Sequence, residues 1–290
     1  MRARLLTPVL AAALLCLTAC DFEDLVDNAR YNRDFHYNYP MKPDGRLEVE
    51  TFNGSVEISG WDQPTVDISG TKYGPTQESA DSLHVDVGNS PEFISVRVVR
   101  PSDRRGNQGA RLVIKIPRGV TLDRIVTSNG HIRTVDGAGS ARLHTSNGSI
   151  HVQDLRGSLN AETSNGPVEV EGVDGEVTVH TSNSSVNVKT NRGDQPIRLE
   201  SSNGPVDLSL GPNYSSSLRA HTSNSSITIH APSGPNAHLT ARTSNGTIDS
   251  HFDVRVSGDI SKSHLDGTIG NGAGTLDLST SNGSILLERM

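Results

Sequence analysis

From about residue 120 onward, apolar and polar side chains alternate in short runs. Ala141-Arg142-Leu143-His144, Leu159-Asn160-Ala161-Glu162 and Val168-Glu169-Val170-Glu171 are representative. A period of two is the pattern of strands that bury one face and wet the other. The runs are only about five residues long, and the same punctuation separates them each time. The upstream part alternates as well, at Leu47-Val49, Val56-Ile58, Val66-Ile68, Leu83-Val85-Val87, Ile94-Val96-Val98 and Leu112-Ile114-Ile116. There the spacing is irregular, and Pro-, Gly- and polar-rich stretches intervene at 74–81 and 101–109.

The punctuation is the string Thr/Ser-Ser-Asn-Gly/Ser-x-Ile/Val. Its asparagine falls at Asn129, Asn147, Asn165, Asn183, Asn203, Asn224, Asn245 and Asn282, at spacings of 18, 18, 18, 20, 21, 21 and 37. Asp266-Gly267-Thr268-Ile269 reads as a degenerate copy inside the widest gap, and Thr51-Phe52-Asn53-Gly54-Ser55-Val56 as an early relative. A repeat of this length predicts a stacked array in which each coil shares its core with its neighbours. With the asparagine as position zero, positions −6, −4, +3 and +5 form apolar columns. Examples are Leu159, Ala161, Val168 and Val170 in one coil. Large and small residues trade places between coils, since Ala141 with Leu143 adjoins Leu159 with Ala161, which keeps a narrow interior at constant volume. The Thr at −2 has inward parity and is expected to form a hydroxyl column. The Asn-Gly pair reads as a tight corner. Where Ser replaces Gly, at Asn183-Ser184 and Asn224-Ser225, the asparagine is expected to take the left-handed conformation. Coils about 4.8 Å apart let the asparagine amides bond up the column as a ladder.

The fold class is therefore all-β, a single-stranded parallel β-helix or solenoid with short T-S-N-G corners. It is expected to have nine or ten coils and a length of roughly 45 Å. The division expected is 1–19 signal peptide, 20–44 lipidated N-terminus and flexible tether, 45–118 irregular N-terminal β portion or cap, and 119–290 repetitive solenoid. The coil at 279–290 has no obvious polar cap, which leaves end-to-end association open.

The segment Leu47–Trp61, the corner Ile116-Pro117-Arg118-Gly119-Val120 and the serial T-S-N-G-x-I copies are together similar to the bacterial putative-adhesin family DUF4097. The resemblance covers roughly residues 45–290. It implies a right-handed parallel β-solenoid in an envelope protein, and it implies no catalytic residue.

The beginning of the chain points to a compartment. Arg2 and Arg4 precede an apolar stretch from Leu5 to Leu17, which is the layout of a secretory signal and short for a membrane span. Leu17-Thr18-Ala19-Cys20 resembles the lipobox of bacterial lipoproteins, and that resemblance implies a lipid thioether on Cys20. Asp21 weakly favours inner-membrane retention. Cys16 and Cys20 are the two cysteines of the chain, so the expected mature protein has no disulfide. It would carry 24 Lys+Arg against 33 Asp+Glu, a net of −9. Acidity without a basic run argues against nucleic acid as a partner. Aromatics at 4% argue against a stacking platform.

The candidate chemistry is thin. Position −3 carries His144, Glu162, His180, Glu200, His221 and Arg242 down successive coils. His144, Glu162 and His180 are the candidates for a metal or acid–base site. The competing reading, a solvated ladder that avoids stacking like charges, is preferred because a straight exposed column has no pocket. Polysaccharide-active β-helix enzymes set clustered carboxylates among long loops, and Asp253, Asp259 and Asp266 form no such pair. No calcium-type G-G-x-G-x-D string occurs. An ice-binding Thr array is disfavoured because that Thr faces inward. The Asn-x-Ser/Thr triplets read as products of the turn motif rather than as glycosylation sites. The expected function is a non-enzymatic envelope lipoprotein that presents a polar solenoid face to a protein or glycan. It needs no cofactor and attaches to a membrane through lipid. A periplasmic accessory to a membrane or envelope-stress system is the alternative. Leaflet and oligomeric state stay open.

Overall fold

The structure, a computed structural model, describes residues 31–100, 106–257 and 261–290. The described strands belong to two sheets, of twelve and thirteen strands. The chain crosses from one sheet to the other at each repeat motif. Ala141–Thr145 lies in one sheet and Ile150–Leu155 in the other, and Leu159–Thr163 then returns beside Ala141–Thr145. Neighbouring strands are parallel and in register, so like positions stack: Ala141, Leu159, Val177, Ile197 and Leu218 form one row. Two long parallel sheets facing each other across one core are consistent with a β-solenoid.

The inward rows fill that core. Leu143 stacks on Ala161, and Leu199 on Ala220, so large and small residues alternate along the row. One continuous apolar cluster extends from Met41 to Leu287. The 45–118 portion therefore shares its interior with the regular coils. Within it, Arg46–Glu50 and Val56–Trp61 are flanked on both sides by parallel strands. Antiparallel strands close this end: Thr65–Gly74 on Gly109–Pro117, and His84–Ser90 on Phe93–Val99. The helix Gln77–Asp81 is set by a capping box in which Thr76 and Ser79 exchange side-chain and backbone hydrogen bonds.

Four expectations are corrected. First, the flexible spacer expected through residue 44 gives way to a strand from Tyr31 to Pro40, paired antiparallel with Thr65–Gly74. Its alternating Phe35, Tyr37 and Tyr39 pack against the core, with ring centroids 5.8 and 6.3 Å apart.

Second, the corner at the motif does not use left-handed asparagine. The non-glycine residues with positive φ among the described residues are Asp136, Asp154 and Asn213, at 59°, 54° and 55°. The first two lie at the opposite corner of their coils, followed one coil on by Gly172 at 70°. Of the motif glycines only Gly54 has a positive φ. The others are there because backbones approach closely: a Cβ on Gly148 would sit 1.9 Å from the Gly130 carbonyl oxygen, and one on Gly166 1.9 Å from that of Gly148.

Third, Asp266–Ile269 is not a degenerate coil. It belongs to the strand His264–Ile269, which runs antiparallel to Ala237–Thr243 and closes that end together with Arg255–Val256.

Fourth, the coils do not stack in chain order. Gly274–Thr280 lies between Ser217–Thr222 and Ala237–Thr243, and Ile285–Arg289 between Ile227–Ala231 and Ile248–Ser250. The coil expected to be an uncapped end is internal.

Candidate functional site

The repeat builds three surface features: a corner ladder and two outer sheet faces. At the corner each asparagine Nδ2 donates to the Oδ1 of the rung before it. The chain of bonds runs from Asn129 to Asn53, then Asn147, Asn165, Asn183, Asn203 and Asn224 in turn, at 2.7–2.8 Å. Asn282 then bonds to Asn224 and Asn245 to Asn282, both at 2.8 Å. The eight predicted asparagines are thus brought into one column, and Asn53 is its base. The spacing analysis left Asn53 outside the regular set because 76 residues separate it from Asn129. Its segment reads in the sequence as an early relative of the motif, and the structure makes it the first rung.

Beneath the ladder lies the hydroxyl column. Thr145 is fully buried, donates to the Gly130 carbonyl at 3.0 Å and accepts from the Gly148 amide at 3.2 Å. Thr163 and Thr222 donate likewise to Gly148 and Gly204 at 3.0 Å. The hydroxyl satisfies a corner carbonyl that stacking would otherwise bury without a partner.

The outer faces are rows of charge. On one sheet His144 Nδ1 lies 3.6 Å from Glu162, and His180 Nδ1 lies 3.6 Å from Glu200. The candidate trio therefore occupies adjacent rungs of one half-exposed row but resolves into separate pairs. Among the described residues no group of three or more His, Cys, Asp or Glu could hold a metal. His221 neighbours Ser279 at 2.9 Å, and Arg242 lies one rung further out. The stacking order therefore breaks the row that the sequence suggests. On the other sheet His151 lies 3.3 Å from Glu169, and His230 sits between Asp207 at 3.3 Å and Glu288 at 2.9 Å. Lys189 donates to Glu171 at 2.7 Å, which holds that carboxyl below its ordinary range and the ammonium above its own. Arg118 does the same to Asp62, first by hydrogen bonding and then by charge.

Concavities on these faces are small. One of about 270 Å³ is lined by Asp123, Arg142, Asn160 and Glu176, and one of about 320 Å³ lies over Arg124, His144 and Glu162. Tyr214 is buried, and desolvation raises its hydroxyl well above the ordinary range. It donates to the Gln195 carbonyl at 3.1 Å, which is a structural role. Cys20 and Asp21 lie outside the described residues. No helix among the described residues is long and apolar enough to cross a membrane.

The profile of the family described as Toastrack DUF4097 matches residues 45–288. No curated protein matches the chain. Solved structures similar to it include a putative adhesin from Bacteroides fragilis, 16% identical with a TM-score of 0.46, covering 88% of this chain and 97% of that one. A putative adhesin from Parabacteroides merdae is 8% identical with a TM-score of 0.36, covering 88% and 96%. A putative cell adhesion protein from Clostridium sporogenes is 9% identical with a TM-score of 0.29, covering 89% and 100%. No enzymatic family is indicated by these matches.

Proposed function

The chain belongs to the Toastrack DUF4097 family, and from that premise we propose that it is a non-enzymatic recognition module of the cell envelope. In this reading it is a single-stranded parallel β-helix that turns at T-S-N-G corners. It is held to a membrane by lipid on Cys20 and presents a flat, charged face to a protein or glycan. The observation that carries the reading is the paired charge on both outer faces. Rows such as His144–Glu162 and His180–Glu200 offer repeated donors and acceptors at strand spacing. Such rows suit an extended partner that makes many weak contacts better than a small substrate that needs enclosure.

Photo-crosslinking in native cells, with the probe placed at Asn160 or Asn187 on the two outer faces, tests the proposal. Capture of one protein or glycan species from one face, lost when Glu162 and Glu200 are changed to Lys, is the expected result. Labelling of both faces with no discrete adduct would overturn it. The anchor is tested separately by metabolic labelling with an alkyne fatty acid. The wild-type chain should take up label, and Cys20→Ser should not. Equal labelling of the two would remove the lipoprotein reading and leave the recognition reading standing.

A further inference from the structure

The chain makes its coils in one order and stacks them in another. Residues 217–231 form one coil and residues 237–250 the next in sequence. A rung is left between them, and residues 274–289 fill it. Both walls of this gap therefore precede its occupant in the chain. The walls hold the occupant with repeat chemistry. Thr280 donates to the Ser225 carbonyl and Asn282 to Asn224 on one side, each at 2.8 Å. On the other side Thr243 donates to the Gly283 carbonyl and Asn245 to Asn282, each at 2.8 Å. Without the occupant, two parallel strand edges would face each other across an open rung with unpaired amides and carbonyls.

The gap is shaped for this coil. Leu278 lies between Ala220 and Ala241, and its side chain fills the room those alanines leave. A coil with Ala at that position would leave a void. The occupant is attached to the 264–269 strand by a turn at 270–273. Gly270 and Gly272 there have φ of 64° and 74°. Glycine adopts extended conformations as readily as left-handed ones, so this turn can open into a straight linker at little cost.

We propose that this gap is an exchange site: it accepts the 274–289 coil of a second copy of this chain in place of its own, which gives a reciprocal, two-fold dimer. Every contact inside the gap is the same in the exchanged and unexchanged forms. The two differ only in the 270–273 linker and in the entropy of association, so local concentration sets their balance. This inference stands apart from the identity of any envelope ligand.

The test uses two full-length chains, each with Cys16 and Cys20 changed to Ser. One, isotopically heavy, carries His221→Cys; the other, light, carries Ser279→Cys. These positions face each other across the wall of the gap. The chains are mixed over a range of concentrations, with and without urea below the unfolding midpoint, and treated with a short bis-maleimide. The control replaces the light partner with Glu162→Cys, three rungs away. A heavy–light peptide joining 221 to 279, several-fold above the control and rising with concentration, is the expected result. Heavy–light 221–279 products no more abundant than the control under every condition would overturn the exchange site.

Discussion

Thr134 and Thr145 are both fully buried, and they differ in what their hydroxyls meet. Thr145 bonds to a carbonyl and an amide of two successive corners, whereas the Thr134 hydroxyl has no partner among the described residues and stacks between Ile58 and Val152. The same isosteric change should therefore act with opposite sign. Thr145→Val is expected to destabilise by about 1–3 kcal/mol, because it strands two buried polar groups. Thr134→Val is expected to be neutral or to stabilise by about 1 kcal/mol, since it removes an unsatisfied hydroxyl. Urea melts of the two variants check this, and equal losses would contradict it. The inward parity of the Thr column was legible in the sequence because parity follows from counting along a strand. The role of the motif glycine was not. Asn-Gly suggests a turn that needs a positive φ, whereas the structure uses Gly where a Cβ would run into the neighbouring backbone, and that depends on coil-to-coil distance.

Between residues and the whole lie the ladders and the end strands. Asn165 both donates to Asn147 and accepts from Asn183, at 2.7 and 2.8 Å, whereas Asn245 at the far end of the ladder makes one such bond. Asn165→Ala should cost about 1–2 kcal/mol and Asn245→Ala about half as much, because these bonds are exposed and each contributes about 0.5–1.5 kcal/mol. Equal costs in thermal melts would show that the ladder is ornamental. The strand Tyr31–Pro40 supplies a pH-dependent contact. His36 Nε2 lies 2.7 Å from the Asp67 carboxylate, and chiefly this bond holds that carboxyl below its ordinary range against a smaller opposing effect of burial. A folded-state value below the unfolded one means stability that is present at neutral pH and lost as pH falls through the folded value. Asp67→Asn should therefore lower Tm at pH 7, by an amount equivalent to at most about 1 kcal/mol, and leave Tm unchanged near pH 2. Scanning calorimetry at the two pH values decides it. The alternating aromatics of this strand were visible in the sequence. They were masked as an element because Asn, Arg, Asp and His occupy the intervening positions, and a lone edge strand leaves no repeat to align.

Across the whole molecule, the eight asparagines showed that like positions lie on one another, but not in what order. Periodicity is blind to order: every coil presents the same donors and acceptors to either neighbour, so Asn224 bonds as well to Asn282 as it would to Asn245. What sets the order is the strand at 264–269, which turns back antiparallel on Ala237–Thr243 and occupies the free edge that a next coil would need. With that edge closed, residues 274–289 can stack only on the other side of the 237–250 coil. Stability should then propagate by contact and not by sequence, as in any array whose units touch only their neighbours. Leu278→Ala, at a fully buried site, should cost about 2–5 kcal/mol and loosen the coil that contains it. The 237–250 coil rests on that coil on one side and on the 264–269 strand on the other, not on the 217–231 coil, so its bonds to the altered coil must loosen too, although it precedes the substitution by some forty residues. In native-state hydrogen exchange, the amides of Asn245 and His251, which donate to the Ser281 and Leu287 carbonyls, should lose protection together with those of Leu276 and Leu287, while those of Val188 and Leu208 keep theirs. If the Asn245 and His251 amides stayed protected while Leu276 became exposed, the 274–289 coil could not be what holds them, and the inserted order would be wrong.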